Sequence, residues 1–262
     1  MTLSDARRAE AAEALRIAEQ TQTAVPPLVQ TFPDIDVVDS YEIQLINIRR
    51  RLAAGATVYG HKVGLSSKAM QEMMGVDEPD YGHLLSDMVY AEDAPIPTSS
   101  FLIPRVEVEV GFVLGDDLPG EGCTVEDVLR CTDFIAPAIE LIDSRIADWK
   151  IGLADTIADN ASSCGVILGK ERVRPGDLDV AAIDATLTIN GAKVAEGTSG
   201  AVLGDPTIAV AWLANKVASF GVRLQKGHVV LPGSCTRAYD VKPGDHVVAA
   251  FAGLGTVNLT FS

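Results

Sequence analysis

Residues 104–112 read Pro-Arg-Val-Glu-Val-Glu-Val-Gly-Phe, an alternation that a β-strand sorts onto two faces. With a period of two, Val106, Val108, Val110 and Phe112 point one way, and Arg105, Glu107 and Glu109 the other. Two carboxylates therefore stand roughly 6.6 Å apart along one face, twice the rise per residue. Such a pair is ordinarily the solvated side of a half-buried strand. Here a third acid, Glu140, interrupts the apolar run Phe134-Ile-Ala-Pro-Ala-Ile-Glu-Leu-Ile142. An unpartnered carboxylate there forfeits several kcal/mol of hydration and requires a cation, a donor or a proton. Three carboxylates without a thiolate cluster suit a hard divalent ion, magnesium or manganese, better than a structural zinc.

The 262 residues, 47% of them apolar, suffice for one large domain or for a core domain with a small helical appendage. A formal charge of −15, with no cluster of Lys and Arg to offset it, argues against a nucleic-acid partner. It also means that an anionic substrate needs local positive charge, from a metal or a placed basic side chain. Cys123, Cys131, Cys164 and Cys235 lack paired short spacing and read as free thiols of the cytoplasm. The first thirty residues carry no signal-peptide pattern, and no run approaches 18 apolar residues, so the expectation is a cytoplasmic protein with no membrane association.

Ser4 is positioned to cap a first helix running to about Gln20, and Ser40 a second, in which Tyr41, Leu45, Ile48 and Leu52 recur at helical spacing before Gly55. Residues 1–55 are thus a helical N-terminal segment, and 56–262 a β-rich unit punctuated by Gly and Pro. Strands are expected at Thr57–Val63, from Arg105, at His228–Leu231, at Asp245–Phe251 and at Thr256–Phe261. A short helix opens at Thr124 with Asp127 three residues on, Asn190-Gly191 marks a hairpin, and Asp205-Pro206 starts a helix through Phe220. Strands outnumber helices without alternating regularly with them, which favours an α+β or mostly β architecture over a doubly wound sheet. Gly111-Phe-Val-Leu-Gly115 and Gly253-Leu-Gly255 lack the spacing of a dinucleotide loop.

Lys62 lies in Tyr59-Gly-His-Lys-Val-Gly-Leu65, between glycines that admit close approach of backbone to a ligand, although a surface lysine reads the same way. Asp80 sits in the turn Gly75-Val-Asp-Glu-Pro-Asp-Tyr-Gly82. Asp159, Asn160, Ser162 and Ser163 form a polar run that is either loop chemistry or turn-making, and composition does not choose. No nucleophile elbow is present, and His61, His83, His228 and His246 are scattered, reading as polar surface or supporting residues.

Taken in order, Gly60-His-Lys-Val-Gly-Leu65, Gly75–Gly82, Pro104-Arg-Val-Glu-Val-Glu109, Ile139-Glu-Leu-Ile-Asp-Ser-Arg145 and Asp155-Thr-Ile-Ala-Asp-Asn-Ala-Ser162 resemble the 2-hydroxypenta-2,4-dienoate (2-keto-4-pentenoate) hydratases over nearly the whole chain. The hydratases belong to the fumarylacetoacetate hydrolase-like superfamily. That resemblance implies an α+β fold with a mixed β-roll or sandwich-like core, and one divalent ion, Mg2+ or Mn2+, on Glu107, Glu109 and Glu140. It implies Lys62 and Asp80 as the active-site pair, and pocket roles for Ser162, Ser163 and the Gly233-Ser234 backbone, although this chain has Leu231-Pro-Gly-Ser-Cys-Thr236 where many relatives carry a Thr-Gly pair. The implied reaction is addition of water to a 2-hydroxy-2,4-dienoate in the catabolism of aromatic or steroid rings. A homo-oligomer is implied, with a pathway decarboxylase or aldolase as a further partner. The alternatives are 4-oxalocrotonate decarboxylation and a non-catalytic ligand-binding or scaffolding role. The stretch Arg145-Ile-Ala-Asp-Trp-Lys-Ile151 looks more like the hydratase side.

Overall fold

A computed structural model describes residues 2–92 and 94–262. Helix α1 (Asp5–Thr21) starts where the Ser4 hydroxyl accepts from the Arg7 N–H. After the single turn of α2 (Leu28–Thr31), α3 (Val37–Ala53) is capped by Asp36 rather than by the Ser40 expected from sequence. Asp36 and Asp39 close a reciprocal capping box, and Ser40 falls inside the first turn with its hydroxyl donating to the Asp36 carbonyl at 2.8 Å. These helices are tied to the rest of the chain. Gln44 of α3 donates to the carbonyls of Tyr81 and Ile157, and the Leu28 N–H reaches the Asp155 carboxylate at 2.6 Å.

The β-rich remainder runs β1 (Val58–Gly64), α4 (Lys68–Met74), β2 (Asp80–Leu85), β3 (Arg105–Leu114), α5 (Val125–Cys131), β4 (Thr132–Ile142), α6 (Leu153–Ala158) and β5 (Ser163–Leu168). Then come β6 (Asp184–Ile189), β7 (Ala192–Thr198), α7 (Pro206–Ala218), β8 (Val229–Leu231), β9 (Tyr239–Asp240), β10 (His246–Phe251) and β11 (Gly255–Thr260). One sheet is ordered β2-β1-β8-β3-β4-β5 with β9 added on β3, and the other β11-β10-β6-β7. Only β1 and β8 pair in parallel among the described strands. Asn190 and Gly191, with φ of 52° and 79°, make the tight β6–β7 turn that needs two left-handed residues.

Strands of the small sheet cross the large one, β10 and β11 over β4 and β6 over β3. Val106, Val108, Val110 and Phe112 share the resulting core with Leu187, Val247, Ala249 and Val257. Burial of the apolar face of β3 against a second sheet fixes its register, because a slip of one residue would drive Glu107 and Glu109 into that core. This is an α+β fold. No helix among the described residues is long and apolar enough to cross a membrane.

Three of the four histidines do not stay scattered. The β1–β2 register sets His61 opposite His83, with ring centroids 4.8 Å apart, and His228 lies 5.9 Å from His61. His61 and His83 are buried, and Gln44 holds the His83 Nδ1 at 3.0 Å. Burial pushes His83 down to about 4, and burial together with the neighbouring imidazoles pushes His61 well below its ordinary 6.5. The unfolded chain takes up protons at these sites before the folded one. Their stability contribution is therefore complete above pH 6.5 and is lost as the pH falls from there towards 4. We expect a His83→Asn variant to gain on the wild type in unfolding free energy, read from urea denaturation, by up to ~1.4 kcal/mol per pH unit as the pH falls across that interval. A difference that stays constant between pH 7 and pH 4.5 would refute this.

Candidate active site and metal centre

The antiparallel β3–β4 register places Glu107 directly opposite Glu140, with Glu109 two residues further along the same face of β3. One carboxylate oxygen from each of the three lies within 4.8 Å of the others. Glu109 and Glu140 are fully buried, yet Glu109 Oε1 and both Glu140 oxygens have no hydrogen-bond partner among the described residues. Glu109 Oε2 accepts from the Gly233 N–H at 2.7 Å. The Lys62 ammonium lies 3.4 Å from Glu140 Oε2 and donates to the Ala161 carbonyl at 2.9 Å.

Burial raises all three carboxyls, and Glu109 is pushed furthest because Glu140 and Glu107 also repel its charge. Burial lifts Glu140 to about 7 even though Lys62 opposes it. Burial likewise works against the Lys62 ammonium, but Glu140, Glu107 and Asp80 outweigh it and hold that group above its usual value. One ammonium against three ionised carboxylates leaves two negative charges uncompensated. Unpartnered oxygens aimed at one point, all hard donors, fit a divalent cation that restores the balance.

Asp80 begins β2 opposite Gly64 of β1. Its Oδ2 accepts from the Thr156 hydroxyl at 3.3 Å, and its Oδ1 is buried without a partner. Burial raises the Asp80 carboxyl, with Lys62 opposing. A Cβ at position 64 would stand 2.1 Å from Asp80 Oδ1 and 3.5 Å from Lys62 Nζ, so the missing side chain of Gly64 is what lets the two groups converge. Gly64→Ala should therefore displace Asp80 and lower turnover on the order of 10²-fold, the penalty of a misplaced reacting group. Manganese titration should show the metal still bound, and a near-wild-type rate would remove Asp80 from the reaction.

Lys62, Asp80, Glu107 and Ser162 line the polar end of a cavity of about 720 Å³, with Leu65, Met70, Ile142, Trp149 and Ile151 on its apolar walls. The Ser162 hydroxyl is buried and unpartnered there. Ser234 also lines the cavity, but its hydroxyl is engaged by the Val108 backbone. Ser163, whose hydroxyl is likewise buried without a partner, borders a small recess with Arg145, Asp159 and Asn160 and lies beside the Glu140 carboxylate, and the Gly233 N–H donates to Glu109. The backbone changes from left-handed at Ser162 (φ 57°) to extended at Ser163 (φ −67°). Thr156 and Trp149 were not singled out from sequence. Thr156 lies inside the Asp155–Ser162 run and Trp149, which stacks under the Arg105 guanidinium at 4.3 Å, inside the Arg145–Ile151 stretch, and those positions were the available signal.

Residues 57–262 match the family model described as fumarylacetoacetate (FAA) hydrolase C-terminal. The chain is 43% identical to a 2-keto-4-pentenoate hydratase of Paraburkholderia xenovorans (strain LB400) over 255 residues, covering 97% of this chain and 95% of that one. It is 41% identical to a 2-hydroxyhexa-2,4-dienoate hydratase of Comamonas testosteroni, covering 95% and 94%. Among solved structures, 4-oxalocrotonate decarboxylase from Pseudomonas putida G7, complexed with magnesium and adipate, superposes with a TM-score of 0.95 at 33% identity, covering 100% of this chain and 99% of that one.

Proposed function

This chain belongs to the fumarylacetoacetate hydrolase family, and from that membership we infer that it is a divalent-metal-dependent hydratase acting on 2-hydroxy-2,4-dienoates. The observation that carries the inference is the clustering of three carboxylates, Glu109 and Glu140 buried and Glu107 half-buried, next to a cavity that Glu107 lines together with Lys62 and Asp80. Glu107, Glu109 and Glu140 would hold the ion, with the Gly233 N–H fixing the orientation of Glu109. When bound, a divalent cation neutralises the substrate carboxylate and draws electron density from its C2 oxygen. Magnesium or manganese suits three carboxylates, and magnesium is the ion in the decarboxylase complex.

The chemistry left to the side chains is proton movement. Transfer of the C2 hydroxyl proton to C5 converts the dienol to a 2-oxo-3-enoate, whose C4 is electrophilic. Water then adds, its oxygen to C4 and a proton to C3, giving a 4-hydroxy-2-oxo acid. Lys62 and Asp80 are the acid–base pair for these transfers, being unlike, buried groups that meet beside Gly64 at the cavity wall. The free Ser162 hydroxyl is the donor available to the substrate. Residues 56–262 make up the catalytic unit in this reading, buttressed by the helical segment 1–55, and the working assembly is a homo-oligomer.

A close overall likeness to the decarboxylase supports one rival, loss of carbon dioxide from 4-oxalocrotonate. Hydratases at 39–43% identity outweigh it. The purified protein with Mn2+ should bleach the ultraviolet absorbance of 2-hydroxypenta-2,4-dienoate and yield 4-hydroxy-2-oxopentanoate. Release of carbon dioxide from 4-oxalocrotonate at a comparable rate would reverse the choice, and unchanged absorbance of both would leave only a binding role.

A further inference from the structure

We propose that Asn160 is a positioning residue for Lys62, acting through the Ala161 carbonyl; the proposal rests on the role given to Lys62 above. Between the end of α6 and the start of β5, three successive residues other than glycine are left-handed: Asn160, Ala161 and Ser162, at φ of 58°, 50° and 57°. Each such residue costs about 1–2 kcal/mol, Asn least, and runs of them are not adopted without external support. The run has a consequence at each step. It turns the Ala161 carbonyl onto the Lys62 ammonium at 2.9 Å and the Ser162 side chain into the cavity.

The support comes from an unusual place. β2 is the edge strand of the large sheet, so one side of it has no strand partner. The Asn160 carboxamide fills that role at His83. Its Oδ1 accepts from the His83 N–H at 2.7 Å, and its Nδ2 donates to the His83 carbonyl at 2.9 Å, as the backbone of a neighbouring strand would. Gly82 allows the approach, since a Cβ there would lie 2.4 Å from the Asn160 carbonyl oxygen. The flanks are pinned separately. The Asp159 carboxylate takes the Arg145 N–H at 2.9 Å and its Nε at 2.5 Å, and the Asp143 N–H donates to the Ser162 carbonyl at 2.8 Å. Backbone bonds span the run, the Ser162 N–H donating to the Asp159 carbonyl at 3.0 Å and the Ser163 N–H to the Asn160 carbonyl, and Asn160 adds the side-chain clamp next to the carbonyl that faces Lys62.

Only a side chain with one donor and one acceptor at this reach satisfies His83. Aspartate would set a second oxygen against the His83 carbonyl, and glutamine adds a methylene. Glycine separates strain from support, because it accepts positive φ freely but has no clamp. We expect Asn160→Gly and Asn160→Asp to lower kcat on the order of 30- to 100-fold with KM and Mn2+ affinity within about threefold, the pattern of a displaced reacting group. In a Lys62→Ala background, Asn160→Gly should change the residual rate less than about twofold, since its effect passes through the missing ammonium. Rates are compared on whichever of hydration and decarboxylation the wild type performs. A wrong substrate assignment then fails in the wild type, and a wrong role for Asn160 fails in the ratio. Near-wild-type kcat for Asn160→Gly, or an equal loss with and without Lys62, overturns the proposal.

Discussion

Replacing Glu140 by glutamine is expected to abolish turnover, by at least ~10³-fold, the equivalent of the several kcal/mol that a bound ion supplies. The substitution keeps the shape of the side chain and removes one charged oxygen donor from the set. Glu140 also faces the Lys62 ammonium at 3.4 Å, so the metal titration, rather than the rate alone, reads the loss of the donor. Affinity for Mn2+ should fall at least ~100-fold, the upper end for supporting residues that only touch a ligand. Folding should not suffer. Burial lifts the Glu140 carboxyl to about 7, so the folded state resists ionisation that the unfolded chain, near 4.5, undergoes freely. That resistance costs stability as the pH rises from 4.5 through 7, and glutamine escapes it. In EDTA at pH 8 the variant should melt no lower than the wild type, while the rise in melting temperature on adding Mn2+ should shrink sharply. Wild-type turnover by Glu140→Gln, or survival of wild-type activity through exhaustive chelation, would contradict the assignment.

Lys62→Ala is expected to separate binding from chemistry. Loss of a proton-transfer group costs ~10²- to 10⁴-fold in rate. Metal binding should persist and tighten, because the ammonium 3.4 Å from Glu140 competes with a cation for the same carboxylates. Single-turnover absorbance and Mn2+ titration on the same preparation read both quantities. A normal rate returns Lys62 to a structural ion pair, and metal lost together with rate makes it a support of the carboxylates alone.

The parity of β3 was legible because one face had to enter a core, and that constraint alone put Glu107 and Glu109 together. Glu140 was legible as a charge inside an apolar run. What joined it to them, the β3–β4 register, is a pairing choice that the alternation of either strand leaves open. The same holds for the histidines, which meet only because β1 pairs with β2 on one side and β8 on the other. The cap of α3 went to Asp36 because its pairing with Asp39 satisfies two backbone N–H groups where Ser40 alone would satisfy one. The polar run Asp159–Ser163 stayed undecided since its left-handed turn is imposed from outside, by His83 and Arg145, and nothing local requires it. The bond from the Gly233 N–H to Glu109 was hidden for a related reason: its partner is distant in sequence.

Anomalous diffraction from crystals soaked in Mn2+ with a non-reacting 2-oxo acid tests the central claim most directly. One manganese peak at ~2.1–2.3 Å from an oxygen of each of Glu107, Glu109 and Glu140, with the oxo acid chelating it beside Lys62 and Asp80, is the predicted result. A peak elsewhere, or none at the trio while the oxo acid occupies the cavity, would contradict it.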